Sequence, residues 1–328
     1  MIFDLHCDTL MKLLDASKRG EEAFLSQNSF QIDEVKLSKS GYFAQCFAAF
    51  VPVSQMDPYA TCKEMIDIFK KEIQRSERLR SVCKFEDFSK NHEQGKISAV
   101  LTMEDAAPIG KEMQRLREFY DLGVRMIGLT WNYPNAVGYP NYRNFDGVSK
   151  PDFFTPETEN GLTEFGVEAV REMNRLGIVV DVSHLSDKGF FDVLKASEKP
   201  IIASHSNARG LCPNVRNLTD EMLKALADNG GVVGMNYAAD FLDCDSARGK
   251  QTVERVVEHM GYVKNEIGCE HIAIGSDFDG IPPDIELKDA SFLPLLVQAM
   301  DKAGFTIEEI EQITYRNALR VFRECMKD

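Results

Sequence analysis

Long apolar runs are missing from this chain. No stretch of eighteen consecutive apolar residues occurs, so no transmembrane helix is expected. A basic segment ahead of an apolar one is also missing at the N-terminus, and with it the pattern of a signal peptide. The expectation is a soluble, cytoplasmic protein with no membrane anchor. Positive charge is in deficit: Lys and Arg number 38 against 52 Asp and Glu, a formal net charge of −14. Such a balance argues against nucleic acid or an anionic membrane as the main partner. None of the eight cysteines (Cys7, Cys46, Cys62, Cys83, Cys212, Cys244, Cys269 and Cys325) forms a C-x-x-C pair. That excludes zinc ribbons and thioredoxin motifs. A chain of 328 residues can bury a core without staples, so the cysteines are expected as buried free thiols of a reducing compartment. Tryptophan occurs once, at Trp131.

What the chain does have is a rhythm. Short apolar, β-branched runs end in polar residues and give way to helical patterns. The runs are 2–8, 43–51, 97–104, 125–131, 178–184, 201–205, 231–237 and 271–277. Strands alternating with helices imply βαβ units and a parallel sheet. Eight of them predict an α/β fold closed as a (β/α)8 TIM barrel. Length alone, at ~150 residues per domain, would allow two domains, but no linker, repeat or low-complexity tract appears, and 1–328 reads as one. Helices are expected over 56–75, 220–229, 251–267 and 306–325, with another after a Thr163 cap and ending at Gly177. The 291–303 segment carries Pro294, which a helix tolerates in its first turn. The long connection 132–160 follows the fourth strand, and loops of that length are commonly functional.

In a barrel of this kind the active site lies at the carboxyl ends of the strands. His6 and Asp8 are two apart on the first strand, which puts both side chains on one face. An isolated H-x-D is served as well by a capping Asp and a hydrogen-bonded His as by a metal. Glu104 and Asp105 close the third strand, where an acidic pair can also be a helix N-terminal signal. His184 and His205 close the fifth and sixth, and neighbouring strands lie ~4.8 Å apart, near enough for two imidazoles to meet. Three of only six histidines thus fall at strand ends, while His92, His259 and His271 fall elsewhere and read as structural or exposed. Asp277 and Asp279 share a face at the last strand, and barrel closure brings Asp277 beside His6 and Asp8. A carboxylate there could shuttle protons in a hydrolase. Cys7 alternates away from the His6 and Asp8 face.

Several segments, in order, resemble the membrane (renal) dipeptidase family of metallo-dipeptidases, within the amidohydrolase-like barrels. They are 4–8 (DLHCD), 101–106, 161–166 (GLTEFG), 173–177, 181–184 (DVSH), 203–206 (ASHS), 216–220 (RNLTD) and 275–280 (GSDFDG). They span nearly the whole chain. The resemblance implies two Zn²⁺ per chain. His6, Asp8 and Glu104 would hold one ion, and Glu104, bridging, would hold the other with His184 and His205. Each zinc then keeps an open position, the pattern of catalytic rather than structural zinc. It further implies hydrolysis of small dipeptides through a hydroxide shared by the ions, a C-terminal D-residue being accepted. Asp277 would carry the proton and Arg216 would grip a substrate carboxylate or the tetrahedral oxygen. A homodimer is implied by resemblance only. One departure stands out: many relatives place a histidine after Leu-Thr at the end of the fourth strand, and this chain has Trp131, whose indole donates but cannot accept a proton. Trp131, Asn132 and Tyr237 are the remaining candidate substrate contacts. Alternatives are a metal-dependent amidohydrolase for another amide or cyclic amide and, from a different class, a non-catalytic ligand-binding barrel.

Overall fold

The computed structural model describes residues 1–327 apart from 52–55, 144–150, 245–251 and 283–284. Among the described residues nine parallel strands occur: β1 (Ile2–Asp4), β2 (Tyr42–Phe50), β3 (Leu79–Ser81), β4 (Ile97–Glu104), β5 (Val124–Gly128), β6 (Val179–Asp181), β7 (Ile202–Ser206), β8 (Val232–Met235) and β9 (Ile272–Ile274). Eight close into a ring in the order β2-β1-β9-β8-β7-β6-β5-β4, sealed by β2 on β4 from Ala44↔Ser98 to Phe50↔Glu104. The fold is a (β/α)8 barrel. The ninth strand, β3, has no counterpart in the sequence reading. It pairs with the start of β4 (Leu79↔Ile97), on the flank that β5 takes further along (Leu101↔Val124). Three residues of ordinary composition carry too short a pattern to be seen.

Several strands end earlier than their apolar runs. β1 stops at Asp4 and β6 at Asp181, because each carboxylate turns back to accept backbone N–H groups two residues on: His6 on Asp4 and Ser183 on Asp181. Helix starts follow their caps. Thr163 accepts from Gly166 N, Thr219 from Met222 N, and Thr306 forms a capping box with Glu309. The helices at 58–75, 164–176, 220–228, 253–267 and 293–302 match the expected ones; residue 251, predicted helical, lies outside the described residues. The continuous helix expected over 306–325 is instead two, Ile307–Glu311 and Asn317–Cys325, joined by a π-helical turn over Gln312–Arg316. At this junction the side-chain Nδ2 of Asn317 donates to Cys269 O and Ile272 O at β9.

That last helix plugs the amino end of the barrel. Phe322 meets Phe3 at 5.2 Å between ring centroids, and Phe3 meets Phe88 at 5.4 Å. Apolar packing therefore closes one end, and truncating a buried Phe there costs about 3–5 kcal/mol. Polar side chains are left for the other end. There β7, β8 and β9 approach so closely that a Cβ on Gly275 would lie 1.8 Å from Ser204 O, so only glycine fits. No helix among the described residues is long and apolar enough to cross a membrane.

The cysteines require a correction. Cys212 and Cys244 form a disulfide, and Cys83 is exposed. Their Cα atoms are 5.6 Å apart, within disulfide reach. Pairing between positions 32 apart depends on how two loops pack, which spacing does not reveal.

Candidate metal centre

His6, Asp8, Glu104, His184, His205 and Asp277 converge at the carboxyl end of the barrel, all of them buried. Glu104, the last residue of β4, stands in the middle and its two oxygens diverge. Oε2 lies 3.2 Å from His6 Nε2, and that nitrogen is 3.4 Å from Asp8 Oδ2. Oε1 lies 3.0 Å from His184 Nε2 and 3.7 Å from His205 Nε2. Asp277 Oδ1 is 3.9 Å from His6 Nε2. Two overlapping groups, His6–Glu104–His205 and His6–Asp8–Asp277, each have ligand atoms close enough to share an ion.

Second contacts fix these groups. His184 Nδ1 is 2.8 Å from Asn132 Oδ1, and an amide oxygen only accepts, so Nδ1 carries the proton. His205 Nδ1 is 2.7 Å from Ser204 Oγ, whose own hydrogen goes to Asp181 Oδ2 at 2.5 Å. His205 Nδ1 is therefore a donor too. Both Nε2 atoms are left as bare lone pairs, 3.0 Å apart. Asn236 Nδ2 donates to Asp277 Oδ2 at 2.8 Å, leaving Oδ1 to face the site. Gly280 makes room: a Cβ there would stand 2.1 Å from Asp8 Oδ2 and 2.5 Å from Asp277 Oδ1.

Backbone strain is concentrated here. His184 (φ 70°), Asp277 (φ 62°), Asp279 (φ 70°) and Asp105 (φ 71°) occupy the left-handed region. Such residues cost of order 1–3 kcal/mol each and persist where the surrounding structure over-determines them. The left-handed turns also break the expected alternation. Asp279 leaves the face of Asp277 and binds Thr9 Oγ1 and Gln31 N instead. Asp105 turns from Glu104 to accept from Asn135 Nδ2.

Electrostatics follow from burial. Burial raises Glu104 and Asp277 well above ordinary carboxylates, and the neighbouring Asp8 adds to both shifts. Burial opposes charge on His6, yet the Glu104 and Asp8 carboxylates hold it well above its usual value. Burial, with Arg216 and His6 nearby, drives His184 and His205 well below theirs, keeping them neutral. The donor set fits a metal. Two neutral imidazole lone pairs point at each other, and His6 Nε2 lies near three carboxylates yet in hydrogen-bond geometry with none. Ligands bound at about 2.0–2.2 Å to one zinc lie within about 4 Å of each other, as these do.

A cavity of about 240 Å³ opens onto this cluster, with Phe50, Trp131, Tyr142, Asp240 and Phe241 in its walls. Trp131 packs on Phe50 at 5.0 Å and forms one side. Asn132 also lines the cavity, although its Oδ1 is committed to His184. Arg216 is buried, donates from Nη2 to His205 O at 3.2 Å, and its Nε and Nη1 have no partner among the described residues. Neither Arg216 nor Tyr237 is among the residues lining the cavity; Tyr237 is fully buried against Phe278, which the sequence reading of it as a substrate contact did not anticipate. Beyond β8, the Asn236 side chain rather than Tyr237 reaches the site, donating to Asp277 Oδ2. The 132–160 connection supplies Tyr142 to the cavity and Asn141 N to His184 O; its residues 144–150 lie outside the described residues. Sequence reasoning missed Asp181, Ser204, Asn236 and Gly280. Polar residues inside otherwise apolar strands were the available signal for the first two.

A (β/α)8 barrel with histidines and carboxylates gathered at its carboxyl rim defines a metallohydrolase. The match is specific: residues 1–327 fit the model of the membrane dipeptidase family, peptidase family M19, and the chain belongs to that family. It is 36% identical over 252 residues to a dipeptidase of Claviceps purpurea, tcpJ, covering 76% of this chain and 56% of that one; it thus spans about half of that relative's length. Among solved structures it is similar to a metallopeptidase from Rhodobacter sphaeroides liganded with a phosphinate mimic of the dipeptide L-Ala-D-Ala (28% identity, TM-score 0.88, 99% of each chain). It is likewise similar to a crystallised metallopeptidase, dipeptidase AC (29% identity, TM-score 0.89, 100% of this chain and 99% of that one).

Proposed function

We propose that the protein is a binuclear zinc dipeptidase that hydrolyses small dipeptides, those with a C-terminal D-residue included. The observation that carries the reading is the divergence of the Glu104 oxygens, one toward His6 and Asp8, the other toward His184 and His205. In this reading His6, Asp8 and Glu104 hold one ion, and Glu104, His184 and His205 hold the second. Bound there, zinc would polarise the substrate carbonyl and make water acidic enough to attack near neutral pH.

The chain's own residues do the rest. Asp277 Oδ1 takes the proton of the attacking water and delivers it to the departing amine, while Asn236 holds Oδ2 and so fixes which oxygen works. Arg216 offers Nε and Nη1 to the substrate carboxylate from a buried site where charge-assisted bonds are strong. Its third contact, to His205 O, ties the carboxylate's position to the second ion's ligands. Trp131 closes one wall and excludes water. The ligand of the Rhodobacter sphaeroides enzyme supports acceptance of a D-residue at the C-terminal position. The test is a panel of L-Xaa-L-Xaa and L-Xaa-D-Xaa dipeptides assayed beside N-acyl amino acids, with zinc-loaded enzyme. Turnover confined to dipeptides is expected; turnover of N-acyl amino acids alone would move the protein to the amidohydrolases of other amides.

A further inference from the structure

The catalytic cavity does not end at its walls. Tyr142 and Asp240 line it and also line a second cavity of about 390 Å³ on their far side. The threshold is held in place. Tyr142 packs edge-on against Phe153 at 4.8 Å and reaches Asn214 Oδ1 with its hydroxyl, while Asp240 O accepts from Asn214 Nδ2. The disulfide from Cys244 to Cys212 ties the far wall to the loop that leads into Arg216. Among the described residues, this second cavity presents the rings of Tyr142, Phe153 and Phe154 and the carboxylates of Asp240 and Asp243, and neither Lys nor Arg. Asp243 lies 3.9 Å from Arg255, whereas the exposed Asp240 has no ion-pair partner among the described residues.

Arg216 stands on the same side, its guanidinium 5.2 Å from the ring of Phe241, the neighbour of Asp240. On the proposed reading, Arg216 holds the carboxylate of the C-terminal residue, so the side chain of that residue is the part nearest the threshold. We infer that the second cavity is the subsite for the C-terminal side chain, and that Asp240 selects a long cationic one ending in an ammonium or guanidinium. Aromatic faces attract cations, a carboxylate adds to that, and an acidic side chain would meet repulsion.

The test compares kcat/KM of the zinc-loaded enzyme for Ala-Lys and Ala-norleucine, which differ at the charged end, in both C-terminal configurations. A preference for lysine of about three- to tenfold is expected, the size of an exposed ion pair plus a cation–π contact. Asp240→Asn should bring the ratio close to one, and Asp240→Lys should favour Ala-Glu over Ala-Lys. Equal kcat/KM for Ala-Lys and Ala-norleucine in the unaltered enzyme would overturn the subsite while leaving the dipeptidase reading intact. An equal loss on both substrates in Asp240→Asn would also overturn it, because Asp240 would then meet the α-ammonium that all dipeptides share. Failure to turn over any dipeptide would remove the underlying reading and the subsite with it.

Discussion

His184 Nε2 and His205 Nε2 face each other at 3.0 Å while both Nδ1 positions are already committed, to Asn132 Oδ1 and Ser204 Oγ. Two neutral imidazoles cannot hydrogen-bond through two lone pairs. A metal ion held by both nitrogens and Glu104, as proposed, would resolve the contact, and the tautomers are set from outside by Asn132 and Ser204.

The chain Asp181–Ser204–His205 should therefore control metal affinity from one step away. Asp181→Asn removes the acceptor that orients the Ser204 hydroxyl. Weakening of zinc binding by about 10- to 100-fold is expected, read by competition with a chromophoric chelator. Unchanged affinity in a variant of normal thermal stability would show that the tautomer of His205 is not set this way.

Asp277 is assigned proton transfer rather than metal binding as its main role. Asp277→Asn should keep its zinc and lose about 10²–10⁴ in kcat. Zinc analysis and steady-state kinetics on the same preparation decide this. Near-normal turnover would remove the assignment.

Gly280 and Gly261 make a matched pair. Alanine at 280 drives a Cβ into the Asp8 and Asp277 carboxylates, whereas a Cβ at 261, within the 253–267 helix, meets nothing within 4 Å. Gly280→Ala should lose zinc and activity. Gly261→Ala should retain both and gain up to about 1 kcal/mol of stability. Full activity in Gly280→Ala would contradict the packing around Asp8.

His259 predicts acid sensitivity away from the metals. Burial holds its pKa down at about 4, and its ring spans Ala208 N and Leu242 O. The unfolded chain binds this proton near pH 6.5 and the folded one does not, so the unfolded state carries the extra proton between those values. Stability should therefore fall as pH drops from about 6.5 to about 4, by up to about 3 kcal/mol from this group. Urea unfolding across that range, compared with His259→Gln, measures it. An identical pH slope in the variant would exclude His259 as the source.

The barrel and the candidate site residues were legible because both depend on local pattern. Alternating apolar strands place polar residues at their ends, and a barrel gathers its strand ends in one place, so His6, Glu104, His184 and His205 stood out together, while their grouping around two ions was implied only by the family resemblance. Asp181, Ser204 and Asn236 were not, since their roles depend on partners across neighbouring strands. Asn132 was read as a substrate contact for the same reason: no spacing shows its oxygen reaching His184, 52 positions away. Tyr237 is another such case: beyond the end of β8, its burial against Phe278 is set by packing across the barrel that no spacing shows. The Cys212–Cys244 bond is a property of loop packing, invisible to composition.

The most direct test of the account is the zinc content of the purified protein, by elemental analysis, beside that of His184→Ala. Two zinc per chain, falling to about one in the variant with loss of dipeptide turnover, is the result predicted by a bridging Glu104. Dipeptide turnover by a protein holding a single ion, with zinc content untouched by His184→Ala, would contradict it.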